Sequence, residues 1–117
     1  MLLIELMENE LVNICNYYFK VFSEKKINEL SQLFSDDITL RDWENNASGK
    51  PDVLNVNEKI FKSAVKINVF PLNFYKIDNI VIAELEITIN NKEKILVVDI
   101  ISFNNQGKIS SIKAFKG

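Results

Sequence analysis

Two carboxylates in this sequence keep apolar company. Asp99 stands alone in the run ILVVDIISF, Ile95 to Phe103, and the segment contains no cation. Burying an unpaired charge costs enough that such a group takes up a proton instead, so the run predicts an aspartic acid rather than an aspartate. Asp42 is the second. In Ile38-Thr39-Leu40-Arg41-Asp42-Trp43 a two-residue alternation puts Ile38, Leu40 and Asp42 on one face and Thr39, Arg41 and Trp43 on the other. Tyr18 is a third polar tip on an apolar surface, because it falls on a helical stripe where its hydroxyl needs a partner. Converging on one dry hollow, such groups suit proton abstraction next to a carbonyl. That reaction leaves negative charge on oxygen, which neutral donors stabilise far better in a water-poor site than in solvent.

What the chain lacks narrows the choice. It has no histidine, which removes Ser-His-Asp triads and the commonest transition-metal ligand, and leaves acid-base work to Asp, Glu, Tyr or Lys. Its three glycines, Gly49, Gly107 and Gly117, form no phosphate-cradling loop. Cys15 is the single cysteine, so neither an internal disulfide nor a multi-cysteine metal site can be built, and it reads as small core filler in a cytoplasmic protein. No metal or cofactor is expected. The net charge of −2 comes from 14 basic and 16 acidic side chains spread without blocks, which gives no footprint for nucleic acid or anionic lipid. The opening MLLIEL is interrupted by Glu5 and has no cleavage site, so it is not read as a signal peptide, and no stretch is long enough to span a bilayer.

The elements that must position these residues follow from periodicity. At 117 residues one domain, 1–117, with one core is expected. Met7, Leu11, Ile14, Cys15, Tyr18, Phe19 and Phe22 recur at helical spacing and predict the first helix. A shorter one is predicted from Ile27 to Phe34, closed by Asp36 and Asp37. The Ile38 to Trp43 strand follows, then a polar loop from Glu44 to Lys50. Pro51 and Asp52 open a third helix whose stripe is Val53, Val56, Asn57, Ile60, Phe61 and Ala64. From Lys66 onward the pattern is strands. Pro71 marks a bulge, edge or break in the first of them, and Val81, Ala83, Leu85, Ile87 and Ile89 form one face of the next. Turns at Asn90 to Lys92 and Asn104 to Gly107 make consecutive antiparallel hairpins. A four-residue loop pairing Phe103 with Lys108 would set Asp99 opposite Ile112. The class is α+β, with helices on one side of a curved antiparallel sheet.

Two stretches carry a family resemblance: YFKVFSEKKINELSQLFSDDITLRDW, followed by a glycine-containing loop and a helix, and VVDIISFNNQGKISSIKAF at the C-terminus. They resemble the ketosteroid isomerase branch of the nuclear transport factor 2-like (NTF2-like, SnoaL-like) superfamily across nearly the whole chain. The landmarks are the LF-x-DD-I-T-L passage from helix to strand and the F-N-N-x-G-K-I hairpin, both shared by members of differing activity. The resemblance implies a cone-shaped fold in which three helices from the N-terminal half and the sheet enclose an apolar pocket. It also implies a cofactor-free reaction on a small apolar carbonyl compound. By the same resemblance the catalytic base falls on Asp42, and an oxyanion hole of a tyrosine and a protonated acid falls on Tyr18 and Asp99. After Asp42 the chain reads WENNASG, shorter than the isomerase loop and without its proline.

Plainer readings stand beside these. Asp99 fits a structural acid paired with Tyr18, a backbone amide or a lysine. Asp42 fits a solvated strand-end residue, or one paired with Arg41 or capped by the loop after it. Trp43, pointing away by alternation, suits packing or a dimer contact. Arg41, the single arginine, invites comparison with the Asp-Arg-Asp arrangement of epoxide hydrolases in the superfamily, which its opposite-face position disfavours. The reaction is thus expected to be an isomerisation or a SnoaL-like polyketide cyclisation, and the competing class is a non-catalytic ligand-binding or dimerisation module. On the sheet's other face, Ile80, Ile82, Leu96, Val98 and Ile100 form an apolar surface that predicts a homodimer, as the resemblance also implies.

Overall fold

The computed structural model describes the backbone of residues 2–117 and the side chains of residues 10–117. In chain order the elements are α1 (Leu2–Ser23), α2 (Ile27–Leu33), β1 (Phe34–Arg41), β2 (Asn46–Ser48), α3 (Lys50–Ser63), β3 (Ile67–Ile77), β4 (Ile80–Ile89), β5 (Glu93–Phe103) and β6 (Ile109–Lys116). The strands form one curved, open sheet in the order β2-β1-β6-β5-β4-β3. No described helix is long and apolar enough to cross a membrane.

The apolar stripe of α1 faces the sheet. Cys15, Tyr18 and Phe19 are buried, with Leu11, Ile14 and Phe22 packed against the same core. The side chain of Met7, assigned to this stripe from sequence, lies outside the described residues. Phe19 stacks on Phe74 of β3 and Phe22 meets Phe61 of α3 edge-on, so aromatic pairs tie the helices to the sheet. On α3 the inward line is Val53, Asn57 and Phe61. Gly49 precedes this helix at φ 89°, a backbone conformation that costs glycine little, and Pro51 sits in the first turn.

The C-terminus of α3 is closed by a side chain from elsewhere. Lys25, at φ 59° in the turn after α1, donates from Nζ to the carbonyl oxygens of Phe61 (2.8 Å), Ala64 (2.5 Å) and Val65 (3.1 Å). Helix ends leave carbonyls without intrahelical partners, and a cation there also complements the helix dipole. Lys25→Met is therefore expected to lower unfolding stability by about 1–2 kcal/mol, read as a shifted urea midpoint at constant slope. An unmoved midpoint would show that water serves these carbonyls equally well.

Four of the five strand pairings are antiparallel, among them the hairpins expected at Asn90 to Lys92 and Asn104 to Gly107. The fifth corrects the reading: β1 runs parallel to β6, because the chain returns to β1 only after the whole meander, a non-local pairing that no hairpin turn announces. β1 also begins at Phe34, where the sequence favoured helix, and its register with β6 shifts between Phe34 and Thr39. Within the segment read as polar loop, Asn46 to Ser48 pair with β1 and place buried Ala47 opposite Leu40. Three residues are too few to show an alternation. Pro71 lies in the edge strand β3 beside a register shift, which spares the ladder a missing donor.

The β5–β6 register also differs from expectation. Phe103 pairs with Ile109, the register shifts once more, and Asp99 then lies opposite Ala114 rather than Ile112. A displacement of two residues preserves the face to which each side chain points. On β4 its neighbour is Ala83, so both flanking strands set a methyl group against the carboxyl.

Candidate active site

Between α1, α3 and the inner face of the sheet lies a cavity of about 420 Å³. Phe19, Phe22, Leu40, Ile60, Leu85, Val97 and Ile112 make most of its inner wall, and Tyr18, Asn57 and Asp99 are the buried polar groups that border it. Toward solvent the lining changes to Asp42, Trp43, Glu44, Asn45, Glu93 and Lys116. The three residues singled out from sequence, Asp42, Tyr18 and Asp99, thus border one hollow.

Asp99 is 7% exposed. Burial among aliphatic side chains, with a smaller contribution from the negative charge of Asp42, raises its carboxyl from 3.8 to about 7. Neither influence is a hydrogen bond, so the paired, structural reading of Asp99 with Tyr18 finds no support here. Tyr18 comes from the adjoining wall on α1. Burial first, then the charges of Asp99, Cys15 and Asp42, hold its hydroxyl well above the ordinary 10, so it keeps its proton throughout the physiological range. Cys15, fully buried beneath it, is pushed up to about 12 by desolvation and then by Asp99. It is an inert thiol rather than a nucleophile.

Asp42 is built differently. It lies one residue past β1 and is partly exposed. Its Oδ1 accepts hydrogen bonds from the backbone N–H of Glu44 (2.8 Å) and Asn45 (2.6 Å) and from Asn45 Nδ2 (3.1 Å). Its Oδ2 accepts from Asn45 Nδ2 alone (3.1 Å). The Asp42 N–H in turn donates to the carbonyl of Asn45 at 3.0 Å. The short loop therefore folds onto the carboxylate as an Asx-type turn, and this is how the segment lacking the isomerase proline orients it. Capping by the following loop, one of the plainer sequence readings, is present together with the cavity position.

Two neighbours fall into place by the same geometry. Trp43 lines the cavity, against the expectation that it points away, because the chain leaves the strand at Arg41 and alternation no longer applies beyond it. Lys116 Nζ lies 6.0 Å from the centre of the Trp43 ring, within cation–π reach. Arg41 is exposed, is absent from the lining of the cavity, and borders a second hollow with Asp42, Trp43, Ala114, Phe115 and Lys116. An Asp-Arg-Asp arrangement inside the cavity is excluded by that position. Asn57 went unremarked in the sequence beyond its place on the α3 stripe, although an amide between Val53 and Phe61 at four-residue spacing was a legible signal.

No family model matches the sequence, and no curated protein does. Solved structures match over almost the whole chain. A proposed isomerase of the SnoaL-like family from Agrobacterium tumefaciens covers 93% of this chain and 98% of its own, at 12% identity and a TM-score of 0.81. A proposed ketosteroid isomerase from Kribbella flavida covers 94% of this chain and 79% of its own, at 13% identity and a TM-score of 0.82. A proposed polyketide cyclase from Sinorhizobium meliloti covers 87% and 93%, at 17% identity and a TM-score of 0.79. Identities this low carry architecture and not reaction. The helical wall, the curved sheet and the hollow between them are the fold of the SnoaL-like, nuclear transport factor 2-like proteins.

Proposed function

We propose that the chain is a cofactor-free enzyme that moves a proton on a small, largely apolar carbonyl compound, in the manner of ketosteroid isomerases. The observation that carries this reading is one apolar cavity bordered jointly by Asp42, Tyr18 and a buried Asp99 whose carboxyl is raised to about 7. With the carbonyl oxygen of the substrate between Tyr18 and protonated Asp99, Asp42 takes the proton from the adjacent carbon. Oδ2, the less heavily hydrogen-bonded oxygen, is the atom that receives it. Negative charge collects on the substrate oxygen, where two neutral donors in a dry site stabilise it. Returning the proton to a more distant carbon completes an isomerisation. Attack of the same enolate on a second carbonyl gives a cyclisation, and the likeness to the Sinorhizobium protein supports that branch equally.

A module that only dimerises would fill the hollow with Phe and Ile side chains, whereas one that binds a ligand without catalysis would keep the hollow and show no proton exchange. The open volume argues against the first of these, and the two acids and the tyrosine on its border favour the enzyme over the second. The test is proton exchange and double-bond migration in a simple cyclic enone, followed in deuterated water by NMR. Exchange above the buffer rate that disappears in Asp42→Asn is expected; exchange unaffected by that change would remove the assignment.

Assembly belongs to the same proposal. On the outer face, Ile82, Val98 and Ile100 lie in adjacent strands, and Leu96 and Phe115 are 59% and 56% exposed. A largely apolar surface, interrupted by Glu84 and Glu86 opposite Val98 and Leu96, suits a second copy of the chain laid sheet to sheet. Wild type is expected to sediment at twice the chain mass at micromolar concentration, and Val98→Lys at once. A wild-type monomer at that concentration would rule the dimer out.

A further inference from the structure

Asn57 is the polar member of the inward line Val53, Asn57, Phe61 on α3. It is 2% exposed and borders the cavity. Its Oδ1 is buried and has no hydrogen-bond partner among the described residues. Leaving such a group unpaired costs the folded state stability. Leucine at the same helical position would avoid that cost and has the better helix propensity. The amide thus sits on the wall of an apolar hollow with its polar end unused by the fold. Tyr18 and Asp99, the other buried polar groups of that wall, already serve the reacting oxygen in the mechanism above, and Asn57 stands apart from them on α3.

We infer that Asn57 is a specificity-determining residue that hydrogen-bonds a hydroxyl group of the ligand, so that a hydroxylated carbonyl compound is the preferred substrate and a bare enone a poorer one. The inference rests on the carbonyl-enzyme reading and names its substrate class. A hydroxyl suits the amide in both senses: it can accept from Nδ2, and it can donate to Oδ1, which is buried in the unliganded protein and meets a ligand only after the side chain turns. Sites built to pair a substrate hydroxyl reject the analogue lacking it, because the buried protein group is then left without a partner.

Calorimetric titration with 2-naphthol, the isomeric dihydroxynaphthalenes and their monomethyl ethers tests this. The naphthol hydroxyl stands in for the enolate oxygen, and the second oxygen probes Asn57. At least one diol is expected to bind wild type about tenfold more tightly than 2-naphthol, with no such gain for its methyl ether. Asn57→Leu should abolish that advantage while leaving 2-naphthol affinity nearly unchanged. It should also melt at the same or a higher temperature than wild type without ligand. The inference is overturned by three outcomes: no diol outbinding 2-naphthol, an advantage that survives in Asn57→Leu, or a marked loss of melting temperature that assigns the amide to the fold. Tyr18→Phe separates the two levels, because it weakens every probe alike if the oxyanion site is real. Naphthol binding indifferent to Tyr18→Phe defeats the carbonyl-enzyme reading, and binding by none of the probes defeats both.

Discussion

Asp42→Asn is expected to lower kcat for enone isomerisation by on the order of 10²-fold or more, with KM little changed. The substitution is nearly isosteric, and the amide oxygen can keep the bonds from the Glu44 and Asn45 N–H groups that hold Oδ1. The loop should therefore survive, and what disappears is the ability to accept a proton. Loss in kcat with KM preserved is the signature of an interaction made in the transition state. A second consequence follows from the charge. Asp42 is the lesser of the two influences that raise the Asp99 carboxyl, so in Asp42→Asn the titration of Asp99 should move toward acid. A purely structural Asp42 would instead show lost stability and an unaltered rate per folded molecule.

The second large effect is an exchange of stability for function at Asp99. Its carboxyl titrates near 7 in the folded protein against an ordinary 3.8, so the folded state holds a proton that the unfolded state has released. Between about pH 4 and pH 7 the native protein binds more protons than the unfolded chain, and stability contributed by this group falls as pH rises. Below pH 4 both states are protonated and nothing is lost. Above pH 7 the loss is complete and amounts to about 4 kcal/mol. Asp99→Asn never ionises, so it should match wild type at pH 4 and exceed it by up to that amount at pH 8, as read from urea denaturation. The activity profile carries the complementary sign. Wild-type turnover should decline above about pH 7 as Asp99 loses the proton it donates, whereas the amide of Asp99→Asn, a weaker but permanent donor, should give a lower rate without that decline. Equal stability of the two proteins at pH 8 would mean that the Asp99 carboxylate is solvated.

Much of this site was legible in the order of residues, for identifiable reasons. Asp99 stands out because the aliphatic side chains on both sides of it leave no parity on which it could reach water, and an even-numbered register displacement left its face unchanged. Tyr18 was marked by helical spacing, which survives small errors at helix ends. Trp43 was misplaced because a two-residue rule holds only while the chain remains a strand, and the hydrogen bonds of the Asp42–Asn45 turn end the strand at Arg41. The parallel β1–β6 pair and the β2 strand were invisible for a different reason. Their pairing partners are distant in sequence or too short to display periodicity, so only the assembled sheet selects them. Asn57 was seen as part of a stripe, but whether its amide was satisfied depends on neighbours brought by α1 and the sheet.

The most direct measurement is the titration of the Asp99 side-chain carboxyl itself, followed by carbon-13 NMR of aspartate-labelled protein, with Asp99→Asn identifying the resonance. A midpoint near pH 7 in wild type, moving toward acid in Asp42→Asn, is the expected result. A midpoint near pH 4 that is indifferent to Asp42 would contradict a protonated acid held in a dry pocket beside a second carboxylate.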